Sequence, residues 1–71
     1  MNSELQPYRR EILEMLRAVE RYGSADRNRM AGILNRALEV TQPGWNWNRT
    51  EWLLDLLIED GALHPKNEVT A

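Results

Sequence analysis

Three tryptophans lie within eight residues, and they are the side chains of this sequence best suited to binding. Tryptophan is enriched where proteins contact other proteins, and its ring also stacks on single-stranded bases. Trp52 and Leu56 are four residues apart, which makes them neighbours on a helix. The pattern predicts a protein-binding surface formed by Trp45, Trp47, Trp52 and Leu56. The alternative is that these rings pack in the core or against a helix start.

A stripe of carboxylates accompanies these residues. Glu51, Asp55 and Glu59 recur every four residues, so in a helix they share one side. We expect this side to point into solvent and to form an acidic rim that favours a basic surface on a partner. The apolar residues between them predict the buried face: Leu53, Leu54, Leu57 and Ile58.

Arginine supplies eight of the nine basic residues, although the formal net charge of the chain is −2. Its planar guanidinium suits bidentate contacts with phosphate or carboxylate. A duplex-binding hypothesis would use the arginines of the middle segment and a lysine near the C-terminus: Arg27, Arg29, Arg36, Arg49 and Lys66. DNA-binding proteins usually carry an excess of positive charge, so a solvated or ion-paired helix surface is the other interpretation.

Residue types that support catalysis or metal binding are sparse. The chain has no cysteine and one histidine, His64, so thiolate zinc sites and disulfides are excluded. Catalytic carboxylates need a pocket that shifts their pKa, and the acidic residues are predicted on an open helix face. No glycine-rich phosphate loop is present. We expect no enzymatic activity, no metal, no cofactor and no small-molecule substrate.

The elements that carry these side chains are predicted to be three helices in a single domain spanning residues 1–71. Apolar residues at helical spacing predict helices at about 6–22, 25–40 and 49–60. Ser24 or Asp26 would cap the second helix, and Asn48 the third. With that cap, Trp47 and Trp52 would pack together as a hydrophobic staple. Residues 62–70 predict a short β-hairpin, although a frayed tail would have the same sequence.

Three helices followed by a hairpin resemble the winged helix-turn-helix class. The resemblance depends on Ile12, Leu13 and Leu16, on residues 30–34 (MAGIL), and above all on residues 50–63 (TEWLLDLLIEDGAL). It implies that the third helix enters the DNA major groove and that Lys66 lies on the wing. Two features depart from the class: the turn at 41–47 is longer than three or four residues, and the acidic stripe would face phosphates.

We therefore predict a small regulatory or inhibitory protein that binds another protein, of the kind that phages and mobile elements encode. Its partner would be a protein with a basic surface or a second copy in a homodimer. A winged-helix transcriptional regulator that binds duplex DNA is the alternative. The polar N-terminus lacks a signal-peptide pattern and no apolar run approaches the ~18 residues of a membrane span, so we expect a cytoplasmic location.

Overall fold

The computed structural model describes residues 3–21 and 26–63, and it is mainly helical. A 3-10 helix at Ser3–Tyr8 leads into α1 (Arg9–Arg21), which is followed by α2 (Arg27–Thr41) and α3 (Trp47–Glu59). The prediction of a mainly helical fold with three helices is confirmed. No strand occurs in the described residues, and all but two residues of the hairpin predicted over 62–70 lie outside them.

α1 begins later than the predicted residue 6. Proline is tolerated in a first helical turn, so Pro7 alone would not exclude a start at residue 6. The chain instead forms a 3-10 helix across Pro7 and becomes α-helical at Arg9. Leu5 in this segment is fully buried, so the N-terminal turn packs into the core. The predicted end at residue 22 lies outside the described residues.

Asp26 caps α2, as one of the two sequence interpretations predicted. Its carboxylate accepts a hydrogen bond from the backbone amide of Arg29 at 2.8 Å. This contact satisfies one of the free amide groups of the first helical turn. Ser24, the other candidate, lies outside the described residues.

The start of α3 corrects the sequence prediction, because Asn46 and not Asn48 is the cap. The Asn46 side chain accepts from the amide of Arg49 at 3.0 Å, and the helix begins at Trp47. The predicted staple between Trp47 and Trp52 is therefore wrong. With this cap, the two staple positions are occupied by Trp45 and Thr50. The connection between α2 and α3 is five residues long, 42–46, and so shorter than the predicted seven.

Gly61 ends α3 at the position that the sequence indicated. Its φ of +80° is a left-handed conformation that favours glycine. The amide of Ala62 donates to the carbonyl of Leu57 at 3.0 Å, and the amide of Gly61 donates to that of Ile58 at 3.1 Å. This pair of hydrogen bonds is the Schellman arrangement, which satisfies carbonyls of the last helical turn.

The three helices pack around one apolar core. Leu53, Leu54 and Leu57 are buried as predicted, and Ile58 packs partly against them. Leu13, one of the residues on which the winged-helix resemblance depends, is 40% exposed. The buried apolar residues come from all three helices and also from the 3-10 helix, the α2–α3 loop and the segment after α3: Leu5, Ile12, Met15, Met30, Ala31, Leu34, Leu38, Trp45, Leu53, Leu54, Leu57 and Leu63.

Candidate protein-binding surface

Trp45 belongs to the core and not to the binding surface in which we placed it. Its side chain is only 7% exposed. The indole nitrogen donates to the Thr50 hydroxyl at 2.6 Å, and that hydroxyl donates to the Asn35 amide oxygen at 2.6 Å. Buried polar groups are costly unless they are hydrogen-bonded, and these three satisfy one another. The network connects α2, the loop and the first turn of α3.

Three aromatic rings in edge-to-face contact connect this core to the surface. Tyr8 contacts Trp45 edge-to-face, with ring centroids 5.1 Å apart, and contacts Trp52 perpendicularly at 6.4 Å. Arg49 packs over the Trp45 ring, and its guanidinium carbon lies 4.3 Å from the centre of that ring. The same guanidinium donates to the Tyr8 hydroxyl at 3.2 Å. Tyr8 thus lies between an internal and an external tryptophan.

Trp47 and Trp52 are both exposed, but they do not form one surface. Their side chains are 47% and 42% exposed, respectively. Five residues of an α-helix correspond to a rotation of about 140°, so the two rings point to different sides of α3. Leu56, one turn beyond Trp52, packs partly against the core. The predicted four-residue surface therefore reduces to the pair of Trp52 and Leu56, with Trp47 standing apart.

The acidic stripe is less available than the sequence predicted. One guanidinium nitrogen of Arg27 lies 2.9 Å from a Glu51 carboxylate oxygen and 2.8 Å from an Asp55 carboxylate oxygen. These ion pairs join the start of α2 to α3 and compensate much of the negative charge at this position. Exposed pairs of this kind contribute about 0.2–1 kcal/mol to stability. Glu59, farther along α3, is exposed.

The arginines predicted for DNA binding do not come together. Arg27 pairs with carboxylates of α3, and Arg49 packs on the aromatic rings. Arg29 and Arg36 instead line a groove formed by the outer side of α2 and Glu14 of α1. Lys66 lies outside the described residues.

Sequence reasoning missed the roles of Tyr8, Thr50 and Asn35. Tyr8 was not among the predicted site residues, because no local pattern connects it to Trp45, Arg49 or Trp52, which lie 37 to 44 positions later. The sequence did contain a signal for Thr50. A cap at Asn46 places Trp45 and Thr50 at the two positions that contact each other across the start of a helix. Because Asn48 was the predicted cap, the pairing of Trp45 with Thr50 was not predicted.

Among the described residues, no group of three or more histidine and carboxylate side chains could hold a metal ion. No helix of this part of the chain is long and apolar enough to cross a membrane.

The chain matches no protein-family model, and neither a curated protein nor a solved structure matches it. The resemblance to winged-helix proteins therefore stays a prediction.

Proposed function

We propose that this protein binds another protein through the face of α3 around Trp52, and that it regulates or inhibits that partner without catalysis. The observation that carries the proposal is the position of Trp52, which is 42% exposed while its ring packs against Tyr8. Leu56 extends the apolar surface by one helical turn. Exposed tryptophan of this kind is typical of the residues that dominate the energy of protein–protein binding.

The support behind Trp52 favours binding because it fixes the ring before a partner arrives. Tyr8 contacts Trp52 on one side and the buried Trp45 on the other. Arg49 holds the Tyr8 hydroxyl and packs on Trp45. A side chain that is already ordered loses less conformational entropy on association. The contacts among Trp45, Tyr8 and Trp52 thus give the exposed Trp52 ring a defined orientation.

Polar groups surround this tryptophan in the manner of an interface rim. A shallow depression of about 410 Å³ is lined by Trp52 together with Asn46, Asn48 and Arg49. Amide and guanidinium groups beside an indole supply hydrogen bonds around an apolar centre, which is the usual anatomy of a protein interface. We keep Glu59 as the carboxylate for a basic group of the partner, because Glu51 and Asp55 already form ion pairs with Arg27.

Duplex DNA has less support as the ligand. Two of the arginines that it would require are engaged within the protein, Arg27 by carboxylates and Arg49 by aromatic rings. The solvent side of α3 also carries Asp55 and Glu59, which would repel phosphates in a major groove. We therefore treat DNA binding as an outcome that the following experiment separates from protein binding.

The test compares two tryptophan variants of the full chain. Trp52→Ala removes the proposed anchor, and Trp47→Ala is the matched control because it removes the same residue type from another side of α3. Affinity capture from a nuclease-treated host extract should recover a protein with wild type and Trp47→Ala, but not with Trp52→Ala. Size measurements over a range of concentrations identify the partner as a second copy if self-association is lost in the same pattern.

Three results would contradict the proposal. Capture that disappears after nuclease treatment would point to nucleic acid, and equal capture by Trp52→Ala would remove this residue from the interface. Loss of capture in both variants would show that binding is not specific to the Trp52 side of α3. Both side chains are replaced at exposed positions, so we expect both variants to stay helical. Circular dichroism of each variant checks this.

A further inference from the structure

Positive charge is segregated to the outer face of α1 and α2, although the chain as a whole is acidic. Two adjoining grooves cover this face and share Glu14 in their lining. Glu14 is the one carboxylate among their lining residues, whereas five arginines line them: Arg9, Arg10, Arg17, Arg29 and Arg36. The lining of the two grooves is therefore net positive on a protein whose formal net charge is −2, although the Glu11 carboxylate lies behind it and accepts from Thr41.

The larger groove combines Arg29 and Arg36 with apolar side chains of α2. It encloses about 720 Å³ and is lined by Ile33, Ala37 and Val40 of α2. Val40 is 82% exposed, the highest exposure of any large apolar side chain in the described residues. Gly32 adds to the groove, since nothing lies within 4 Å of the position that a Cβ atom would take there. A partner backbone can therefore approach α2 closely at this point.

Arg29 and Arg36 give the groove a regular charge spacing. They are seven residues apart on α2, so they project from the same side with a separation of about 10.5 Å along the axis. Neither guanidinium forms an ion pair among residues 3–21 and 26–63. Gly32 and Ile33 lie between them in the same groove. A helix with carboxylates seven residues apart and apolar side chains between them matches this pattern.

We propose that the α1–α2 groove binds an acidic amphipathic helix of another protein. Its carboxylates would pair with Arg29 and Arg36, in the bidentate geometry that arginine allows. Its apolar side would cover Val40 and Ile33. This interface shares no residue with the surface around Trp52, so the inference is independent of the proposed function.

The charges argue against other occupants. In a symmetric contact between two copies, Arg29 and Arg36 of one copy would meet the same arginines of the other, and like charges repel. Phosphates of a duplex would pair with the arginines but would make no use of the apolar side chains. An anionic membrane takes up apolar side chains that project from an amphipathic helix, and of the three apolar lining residues only Val40 projects in this way, because Ile33 and Ala37 are half-buried.

The test uses a synthetic helical peptide with glutamates at positions i and i+7 and leucines at i+3 and i+4. A matched peptide carries lysine in place of both glutamates. Fluorescence anisotropy with the full-length protein should show salt-sensitive binding of the acidic peptide alone. Arg29→Glu combined with Arg36→Glu should weaken it at least about tenfold, because charge-assisted hydrogen bonds are lost. The doubly substituted protein should then bind the lysine peptide.

Two further variants separate this proposal from its competitors. Val40→Ser should weaken peptide binding, whereas binding of a DNA duplex or of anionic phosphatidylserine vesicles through the arginines alone would not change. Trp52→Ala should leave peptide binding unaltered, so a failure here is distinct from a failure of the proposed function. No binding of the acidic peptide at millimolar concentration, or binding insensitive to the double arginine variant, would overturn the proposal.

Discussion

At the scale of single residues, the Thr50 hydroxyl connects two helices and the loop between them. It accepts from the Trp45 indole and donates to Asn35, and Thr50 has no exposed surface. A hydroxyl that both accepts and donates can satisfy two buried groups at once. This hydrogen bonding explains why an aromatic residue of the loop, which the sequence placed at a binding surface, turns inward instead.

Replacing Thr50 with valine should therefore destabilise the protein. Valine has a similar shape, but it leaves the indole N–H and the Asn35 oxygen without a partner. The expected loss is about 1–3 kcal/mol in the free energy of unfolding, measured by urea denaturation. Thr50→Ser is the control, because it keeps the hydroxyl and should retain most of the stability. A valine variant as stable as wild type would show that the network contributes nothing.

At the scale of elements, the helix ends follow local chemistry, and two asparagines compete at the start of α3. Asn46 and Asn48 are both suited to capping, and only Asn46 accepts from the amide of Arg49. Capping by Asn46 places Thr50 in the fourth helical position, where its hydroxyl reaches Trp45. The preference for this cap thus depends on the burial of Trp45 and Thr50.

The two asparagines make a matched pair for mutation. Asn46→Ala should lower the free energy of unfolding by about 1 kcal/mol, the usual effect of losing a helix cap. Asn48→Ala changes an exposed residue in the first turn of α3 and should alter it by less than about 0.5 kcal/mol. Thermal unfolding followed by circular dichroism measures both. Equal effects would mean that Asn46 does not cap the helix in solution.

Two glycines should respond in opposite directions to alanine. Gly61→Ala forces a side chain into a left-handed conformation, with φ of +80°, and should cost about 1 kcal/mol. Gly32→Ala lies within α2 with open space around the new Cβ atom, and should stabilise the helix by about 0.5–1 kcal/mol. Urea denaturation distinguishes the signs. A destabilised Gly32→Ala variant would contradict the open surroundings of this glycine.

At the scale of the whole molecule, the side chains divide into a shared core and two surfaces of different chemistry. The core joins all three helices, while Arg27 connects α2 to the carboxylates of α3. The surface around Trp52 is aromatic with polar neighbours, and the α1–α2 groove is apolar and rich in arginine. Two surfaces of such different character suit two partners better than one.

The small core makes the fold sensitive to internal substitutions and tolerant of surface ones. Leu57→Ala removes a fully buried side chain and should cost about 2–5 kcal/mol, a large part of the stability expected of a domain of this size. Trp47→Ala, on the surface of the same helix, should leave the unfolding midpoint nearly unchanged. Denaturation of both variants measures the contrast. A midpoint shift of similar size in both would place Trp47 in the core.

The helices and the inward side of α3 were predictable from the sequence because their causes are local. Helical periodicity determines that Leu53, Leu54 and Leu57 share a side, and a glycine at position 61 ends the helix through its own backbone freedom. Asp26 likewise caps α2 through an amide only three residues away.

Only the tertiary structure decided which tryptophan is buried and which charges are free. Trp45 can turn inward because its indole N–H donates to Thr50 of α3, whose hydroxyl in turn donates to Asn35 of α2. Arg27 forms ion pairs with carboxylates 24 and 28 positions away, a pairing that exists only once α2 and α3 pack together. Contacts of this kind depend on how helices are placed in space, and periodicity along a single chain carries no information about that placement.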